Sequence, residues 1–339
     1  MKAAPFYSDA PTAPDMSRLG VVVIGRNEGE RLRRCLQSVL PQVPNVVYVD
    51  SGSTDDSMGA ANALGACAYS LDTSLPFTAA RARNEGVRRL LALAPNLEFI
   101  QFVDGDCDVV AGWLAAAQAF LDQHPEVAVV CGRRRERHPE RSIYNLLCDI
   151  EWNTPIGETK SCGGDALVRA RAFAQVAGFR DGLIAGEEPE LCVRLRAKRW
   201  RIWRLDAEMT LHDAAMTSLR QWWKRNARAG FAFAEGVSLH GTPPERHWVR
   251  EYRSAWLWGI ALPTLFVVLA AIAGPFALLG FLLYPSQVLR LGIRSTGPWH
   301  IRLARGGFLM LGKFAEAWGQ LRFLVHRFTR TRARLIEYK

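Results

Sequence analysis

The chain has 339 residues, 49% of them hydrophobic, and carries a formal charge of +10. That length holds one large domain, or one domain with an appendage, and the composition is that of a folded protein. The positive charge points to an anionic partner, but no zinc-finger spacing or RNA-binding signature is present, so nucleic acid is not expected. Instead, arginines recur around a long apolar segment near the C-terminus, as suits a protein at a membrane surface. The seven cysteines form no C-x-x-C pair and read as reduced thiols of a cytosolic domain.

At the N-terminus no basic region precedes an apolar core, so no signal peptide is expected. Residues 1–17, with Pro5, Pro11 and Pro14, read as a flexible tail. Leu19 to Ile24 is apolar and β-branched up to Gly25, the pattern of a central parallel strand. Leu32, Cys35, Leu36, Val39 and Leu40 then recur at helical spacing, and Pro41 stops that helix. Val46 to Asp50 is a second strand ending in an acid, followed by a Ser51–Ser57 loop able to cap the next helix. Pro76 to Leu91 reads as an arginine-rich helix that includes Arg81 and Arg83.

Phe99 to Val103 is a further buried strand, and it runs into Asp104, Asp106 and Asp108. Gly105 lets the backbone turn between the first two acids and admits a bulky ligand. Acids at a strand end stand at the carboxyl edge of a sheet, where open α/β sheets bind ligands. Two hard oxygen donors one residue apart suit Mg²⁺ or Mn²⁺, and through the ion a diphosphate. Taken alone, an Asp-x-Asp is better read as an acidic turn after a strand, and only the motifs around it can reverse that.

Four segments in this order, Val22-Val-Ile-Gly-Arg-Asn-Glu28, Val49-Asp-Ser-Gly-Ser-Thr-Asp55, Ala82-Arg-Asn-Glu-Gly86 and Val103-Asp-Gly-Asp106, resemble family 2 glycosyltransferases of the GT-A fold, of a bacterial membrane-associated type. The resemblance extends over roughly residues 18–235. It implies an α/β, Rossmann-like nucleotide-sugar-binding domain with a mixed central sheet, followed by C-terminal membrane-associated helices. It also implies that Gly25, Arg26, Asn27 and Glu28 line the base and ribose and that Asp50 accepts hydrogen bonds from the base. Asp104 would stand at the ribose and diphosphate and share in the metal site, Asp106 would ligate the metal, and Arg83 or Arg81 would neutralise the diphosphate.

In the second half, Val127 to Cys131 is a strand, and the run Arg133 to Arg137 reads as a solvated surface or as a contact for anionic lipid or an acidic acceptor. Ser161-Cys-Gly-Gly-Asp165 resembles the family's glycine pair, which implies that Gly163 and Gly164 bring bare backbone to the transferred sugar. Asp165 stands where the family often has Asn. Ala185-Gly-Glu-Glu188 resembles the family's Gly-Glu-Asp at a helix start, with Glu188 in the aspartate position. Direct transfer needs a base about 3 Å from the acceptor hydroxyl. The resemblance implies Glu188 for that role, with Glu187 second. His212 is similar to the histidine that completes the metal site in several such enzymes.

From Ser254 to Leu289 the chain carries no charge, and Gly274-Pro275 divides the stretch in two. A span needs about 20 apolar residues, and the second half, ended at Pro285, would reach only about 22 Å. Arg246, Arg250 and Arg253 precede the stretch, and Arg290, Arg294, Arg302 and Arg305 follow it. Positive charge on both flanks implies a hairpin or re-entrant pair with both ends in the cytoplasm. Gly307 to Phe328 aligns Phe308, Leu311, Phe314, Trp318, Leu321 and Leu324 on one face, interrupted by basic residues, and reads as a helix lying on the membrane. Arg330, Arg332 and Arg334 would add attraction to anionic lipid.

The resulting expectation is a catalytic domain at 18–240, a linker at 241–253, a membrane hairpin at 254–290 and amphipathic basic helices at 291–339. Its function would be inverting, Mg²⁺- or Mn²⁺-dependent transfer from a nucleotide-diphosphate sugar to a lipid-linked or cell-surface glycan at the cytoplasmic face of the inner membrane. A nucleotidyltransferase of related fold and a non-catalytic membrane scaffold are the alternatives. The first would need a Gly-rich, basic loop after its first strand, which Gly25-Arg-Asn-Glu28 is not.

Overall fold

The structure is a computed structural model and describes residues 15–329. Most of the tail expected at 1–17, together with Arg330, Arg332 and Arg334, lies outside the described residues. Strands and helices alternate through β1 (Leu19–Gly25), α1 (Glu30–Val39), β2 (Asn45–Asp50), α2 (Ser57–Leu64), β3 (Cys67–Ser70), α3 (Ala79–Leu93) and β4 (Phe99–Asp104). Then follow β5 (Cys107–Val109), α4 (Trp113–Gln123), β6 (Val127–Glu136), α5 (Ile143–Trp152), β7 (Gly157–Glu158), β8 (Ala166–Arg169), α6 (Ala170–Gln175), α7 (Glu187–Ala197) and β9 (Arg201–His212). Strand order is β3-β2-β1-β4-β8-β6-β9-β5, with β7 paired to β9. The first four strands are parallel and β8 runs against both β4 and β6, so the central sheet is mixed.

Apolar runs fix this arrangement. Val21, Val22, Val23, Val47, Tyr48, Val49, Ile100, Phe102 and Val103 are all buried, as strands covered by helices on both faces must be. Register then aligns the strand ends: Gly25 faces Asp50, and Ile24 faces Asp104. The sequence pattern did not reveal β3, β5, β7 or β8: these have only two to four residues each, and those of the edge strand β3 are partly covered or exposed.

The basic run departs from expectation. β6 continues through it, and three of its arginines turn to acids of the sheet domain: Arg133 to Asp149 (2.9 Å), Arg134 to Asp165 (2.8 Å) and Arg137 to Asp108. These three guanidiniums are committed to acids of their own domain, while the exposed Arg135 pairs with Glu208 at 2.7 Å.

After the sheet come α8 (Leu219–His240), α9 (Val249–Trp256), α10 (Leu262–Ala273), α11 (Leu283–Ile293) and α12 (Trp299–Thr329). A π-helical turn, Leu257–Ala261, joins α9 to α10, and a 3₁₀ segment, Pro275–Leu282, precedes α11. Two stretches, Val249–Ala273 and Pro275–Ile293, are long and apolar enough to cross a membrane, and their apolar windows are only 11% and 6% buried. They fold back on each other at Gly274, with the Phe266 and Phe281 rings 5.3 Å apart. Pro285 does not end the second stretch. It lies in the first turn of α11, where its missing N–H costs little. The 3₁₀ rise of about 2 Å per residue lengthens that arm to roughly 30 Å.

α12 also differs from a helix lying wholly on lipid. Its small residues Gly312, Ala315 and Gly319 are buried, and it packs on α8, while Leu311, Trp318 and Val325 remain exposed. A Cβ on Gly319 would fall 1.9 Å from the Ala227 carbonyl oxygen, and one on Gly230 would fall 2.0 Å from that of Glu316. Only glycine allows the two backbones to approach this closely.

Candidate active site

The carboxyl ends of β1 and β4 open into a cavity of ≈ 1030 Å³. Gly25 to Glu28, Arg83, Asp104, Asp106, Gly164, Glu187, Glu188 and His212 line one part of it. α5, α8 and α12 wall the other part, through Trp152, Trp222, Arg225, Phe308 and Gly312 among others. Asp106 and Glu188, far apart in sequence, therefore share one cleft.

β5 pairs antiparallel with β9, matching Cys107 to His212, and the Asp213 N–H donates to the Asp106 carbonyl at 3.0 Å. That pairing carries the His212 Nε2 to 3.2 Å from Asp106 Oδ2. Both side chains are buried, and the Trp152 ring stands edge-on to the imidazole with centroids 4.7 Å apart. Glu136 Oε2 lies 3.7 Å from His212 Nδ1, a buried atom with no hydrogen-bond partner. A carboxylate and an imidazole converging in a closed corner fit a hard-to-borderline divalent ion. An acid behind the second imidazole nitrogen orients such a ligand.

Asp104 sits beside this pair, and Arg83 holds it. One arm of the buried guanidinium bonds Asp104 Oδ1 and the other Glu187 Oε1, each at 2.6 Å. Burial opposes the Arg83 charge, but the two carboxylates outweigh it, and the pKa is raised. Asp165 is fully buried behind them. It accepts from the Asp104 N–H at 3.0 Å and the Thr210 hydroxyl at 2.9 Å, and it pairs with Arg134. It is therefore a brace inside the sheet. Gly164 touches the same corner: a Cβ there would meet Arg83 Nη2 at 2.9 Å and Asp104 Oδ2 at 3.0 Å.

Glu188, the second residue of α7, has one oxygen heavily engaged. Its Oε1 accepts from the Cys162 N–H at 2.6 Å and lies 2.9 and 3.1 Å from the thiols of Cys162 and Cys192. Burial pushes its carboxyl up, against the opposing pull of those hydrogen bonds.

Other residues picked out by sequence fall differently. Both oxygens of Asp50 are occupied, Oδ2 by the N–H groups of Gly52 and Ser53 and Oδ1 by the hydroxyls of Tyr48 and Ser53. It is 3% exposed and caps its own loop rather than presenting an edge to the cavity, which its neighbour Ser51 lines. Arg81 turns away, spending its guanidinium on the carbonyls of Asp72, Leu75 and Pro76. Gly163, at φ 91°, shapes the loop but does not line the cavity. Asn27, at φ 56°, ties the first loop to the second by accepting from the Thr54 N–H at 2.7 Å. Arg26 lies over the Phe77 ring at 4.5 Å, and Glu28 pairs with Arg31 at 2.7 Å. Arg134, Glu136 and Trp152 were not foreseen. Burial along this part of β6 does not alternate, with Arg133 and Glu136 buried, Arg134 half-buried and Arg135 exposed, so no periodic signal singled them out.

Residues 20–176 match the family model described as Glycosyl transferase family 2. A pre-mycofactocin glycosyltransferase of Mycobacterium tuberculosis is 28% identical over 247 residues, covering 68% of this chain and 50% of that protein. A TPR repeat-containing protein of Synechococcus elongatus is 29% identical over 140 residues, covering 41% of this chain and 33% of its own. The chain thus spans a third to a half of the length of these curated relatives. Among solved structures, the mannosyltransferase PcManGT from Pyrobaculum calidifontis, in complex with GDP-Man and Mn²⁺, superposes with a TM-score of 0.58 at 19% identity. The match covers 95% of this chain and 90% of that one, and it shows a shared fold.

Proposed function

We propose, from the match of residues 20–176 to the glycosyl transferase family 2 model, that this chain moves a hexosyl group from a nucleotide-diphosphate sugar to a lipid-linked or glycan hydroxyl with inversion. The observation that carries this reading is the single cavity holding the Asp106–His212 pair, the Asp104–Arg83–Glu187 chain and Glu188. Asp106 and His212, with Asp104 adjacent, would hold Mg²⁺ or Mn²⁺, and the ion would supply Lewis-acid neutralisation of the diphosphate.

The chain's own residues supply the rest. Gly25 to Glu28 form the wall for the nucleoside. Arg83 fixes Asp104 and Glu187 so that neither carboxylate swings into the sugar's place. Glu188 takes the proton of the acceptor hydroxyl as the new oxygen–carbon bond forms and the bond to the diphosphate breaks. A carboxyl raised by burial is better matched to that task than a solvated one.

The acceptor enters between α5, α8 and α12, beside the apolar hairpin. That hairpin, with Arg250, Arg253, Arg290 and Arg294 at its base, supports a reading in which the catalytic region works at the cytoplasmic face of a bacterial inner membrane, with anionic lipid as a further partner. The catalytic unit runs over residues 18–240, the hairpin extends from Val249 to Ile293 and α12 returns to the catalytic unit.

The test is a panel of nucleoside-diphosphate sugars offered with Mn²⁺ to the chain in detergent, read by thermal stabilisation and by release of nucleoside diphosphate. At least one donor should stabilise the wild type in a metal-dependent way and fail to do so in Asp106→Ala. Absence of both signals across the panel would refute the reading.

A further inference from the structure

Behind the cavity wall lies a second cluster of ligating groups. Glu188 and Cys192 stand one turn apart on the same face of α7, and Cys162 reaches them from the loop before Gly163. The two sulfurs are 3.9 Å apart, and Glu188 Oε1 lies 2.9 and 3.1 Å from them. Cys192 and Glu188 are buried, while Cys162 is partly exposed.

We propose that Cys162, Cys192 and Glu188 form a binding site for a thiophilic divalent ion of the Zn²⁺ class, separate from the hard-ion corner at Asp106 and His212. Zinc–sulfur bonds of about 2.3 Å at a tetrahedral angle put two sulfurs about 3.8 Å apart, so the thiols already stand at the required separation. The carboxylate oxygen has only to open away from them by a few tenths of an ångström. Thiolates select Zn²⁺ and Cd²⁺ over Mg²⁺, whereas the carboxylate–imidazole corner at Asp106 and His212 also accepts Mg²⁺ or Mn²⁺, so the two sites differ in ligand softness. Three protein ligands leave a fourth position for water. Two protons leave as the thiols become thiolates, and no oxidation is involved. Because Glu188 lines the cavity, an ion here captures the carboxylate that the proposed transfer uses as its base. The consequence for turnover rests on that assignment, whereas the binding itself does not.

The experiment uses the full, reduced chain in detergent with saturating Mg²⁺. One equivalent of Co²⁺ should give a thiolate-to-metal charge-transfer absorption in the near ultraviolet, and Zn²⁺ should bleach it. Zn²⁺ should also protect Cys162 from alkylation, a measurement that needs no variant. Cys162→Ser and Cys192→Ser should each abolish the band, and Zn²⁺ should slow transfer more than tenfold, reversibly with chelator. No band in the wild type, or a band that survives both substitutions and so belongs to another cysteine, overturns the proposal. A band lost in both variants with turnover untouched by Zn²⁺ upholds the site and removes Glu188 as the base.

Discussion

His212 Nε2 and Asp106 Oδ2 stand 3.2 Å apart because the short strand β5 pairs with the far end of β9. The contact joins the acid after one strand to a histidine that ends another. Asp106→Asn and His212→Ala should both lose metal-dependent donor binding. Glu136→Gln, which alters the acid behind the imidazole, should weaken apparent Mn²⁺ affinity by about 10–100-fold. Titration of donor-dependent thermal stabilisation against Mn²⁺ measures this. Equal Mn²⁺ midpoints in wild type and His212→Ala would count against the metal corner.

Arg83 should matter for stability before it matters for chemistry. Its guanidinium is 3% exposed and divided between Asp104 and Glu187. Glu187→Gln leaves half of that charge without its partner, and breaking a buried pair costs about 3–5 kcal/mol. Chemical denaturation should show a marked loss for Glu187→Gln and a much smaller one for Glu188→Gln, whose loss should fall on transfer by about 10²–10⁴-fold. Matching stabilities for the two variants would contradict this division.

The Glu188 carboxyl, raised by burial, gives a pH signature with a definite sign. A base must be ionised, so transfer should rise with pH through a midpoint above the usual carboxylate range. A carboxyl with a raised folded-state pKa binds its proton more tightly folded than unfolded, so its contribution to stability falls as pH climbs from the unfolded to the folded pKa. Glu188→Gln should remove both effects, as pH–rate profiles and pH-dependent melting would reveal. An unchanged acidic limb in the residual activity of Glu188→Gln would assign it to another group.

Close backbone contact between α8 and α12 makes Gly319 intolerant of any side chain. Gly319→Leu should lower stability by about 1–3 kcal/mol or expel α12, exposing it to limited proteolysis. With α12 displaced, Phe308 and Gly312 leave the cavity wall, so acceptor use should suffer more than donor binding. If α12 stays protease-resistant and acceptor kinetics hold, the docking has been misread.

The sequence by itself determined the alternating strands and helices, the acids at the strand ends and the uncharged hairpin. Each is a local pattern, an apolar run ending in a turn or a stretch without charge, and local patterns survive in one dimension. What Asp50, Arg81 and Arg134 do was decided only by the tertiary structure. Asp50 turns its oxygens on its own loop, Arg81 braces carbonyls and Arg134 dives from a basic run to Asp165. A charged side chain goes to whichever partner the fold brings within about 3 Å, and that partner can lie anywhere in the chain. The same reason hid the Cys162–Cys192–Glu188 cluster: one turn of α7 supplies two of its groups, but only the packing of the glycine loop against that helix delivers the third.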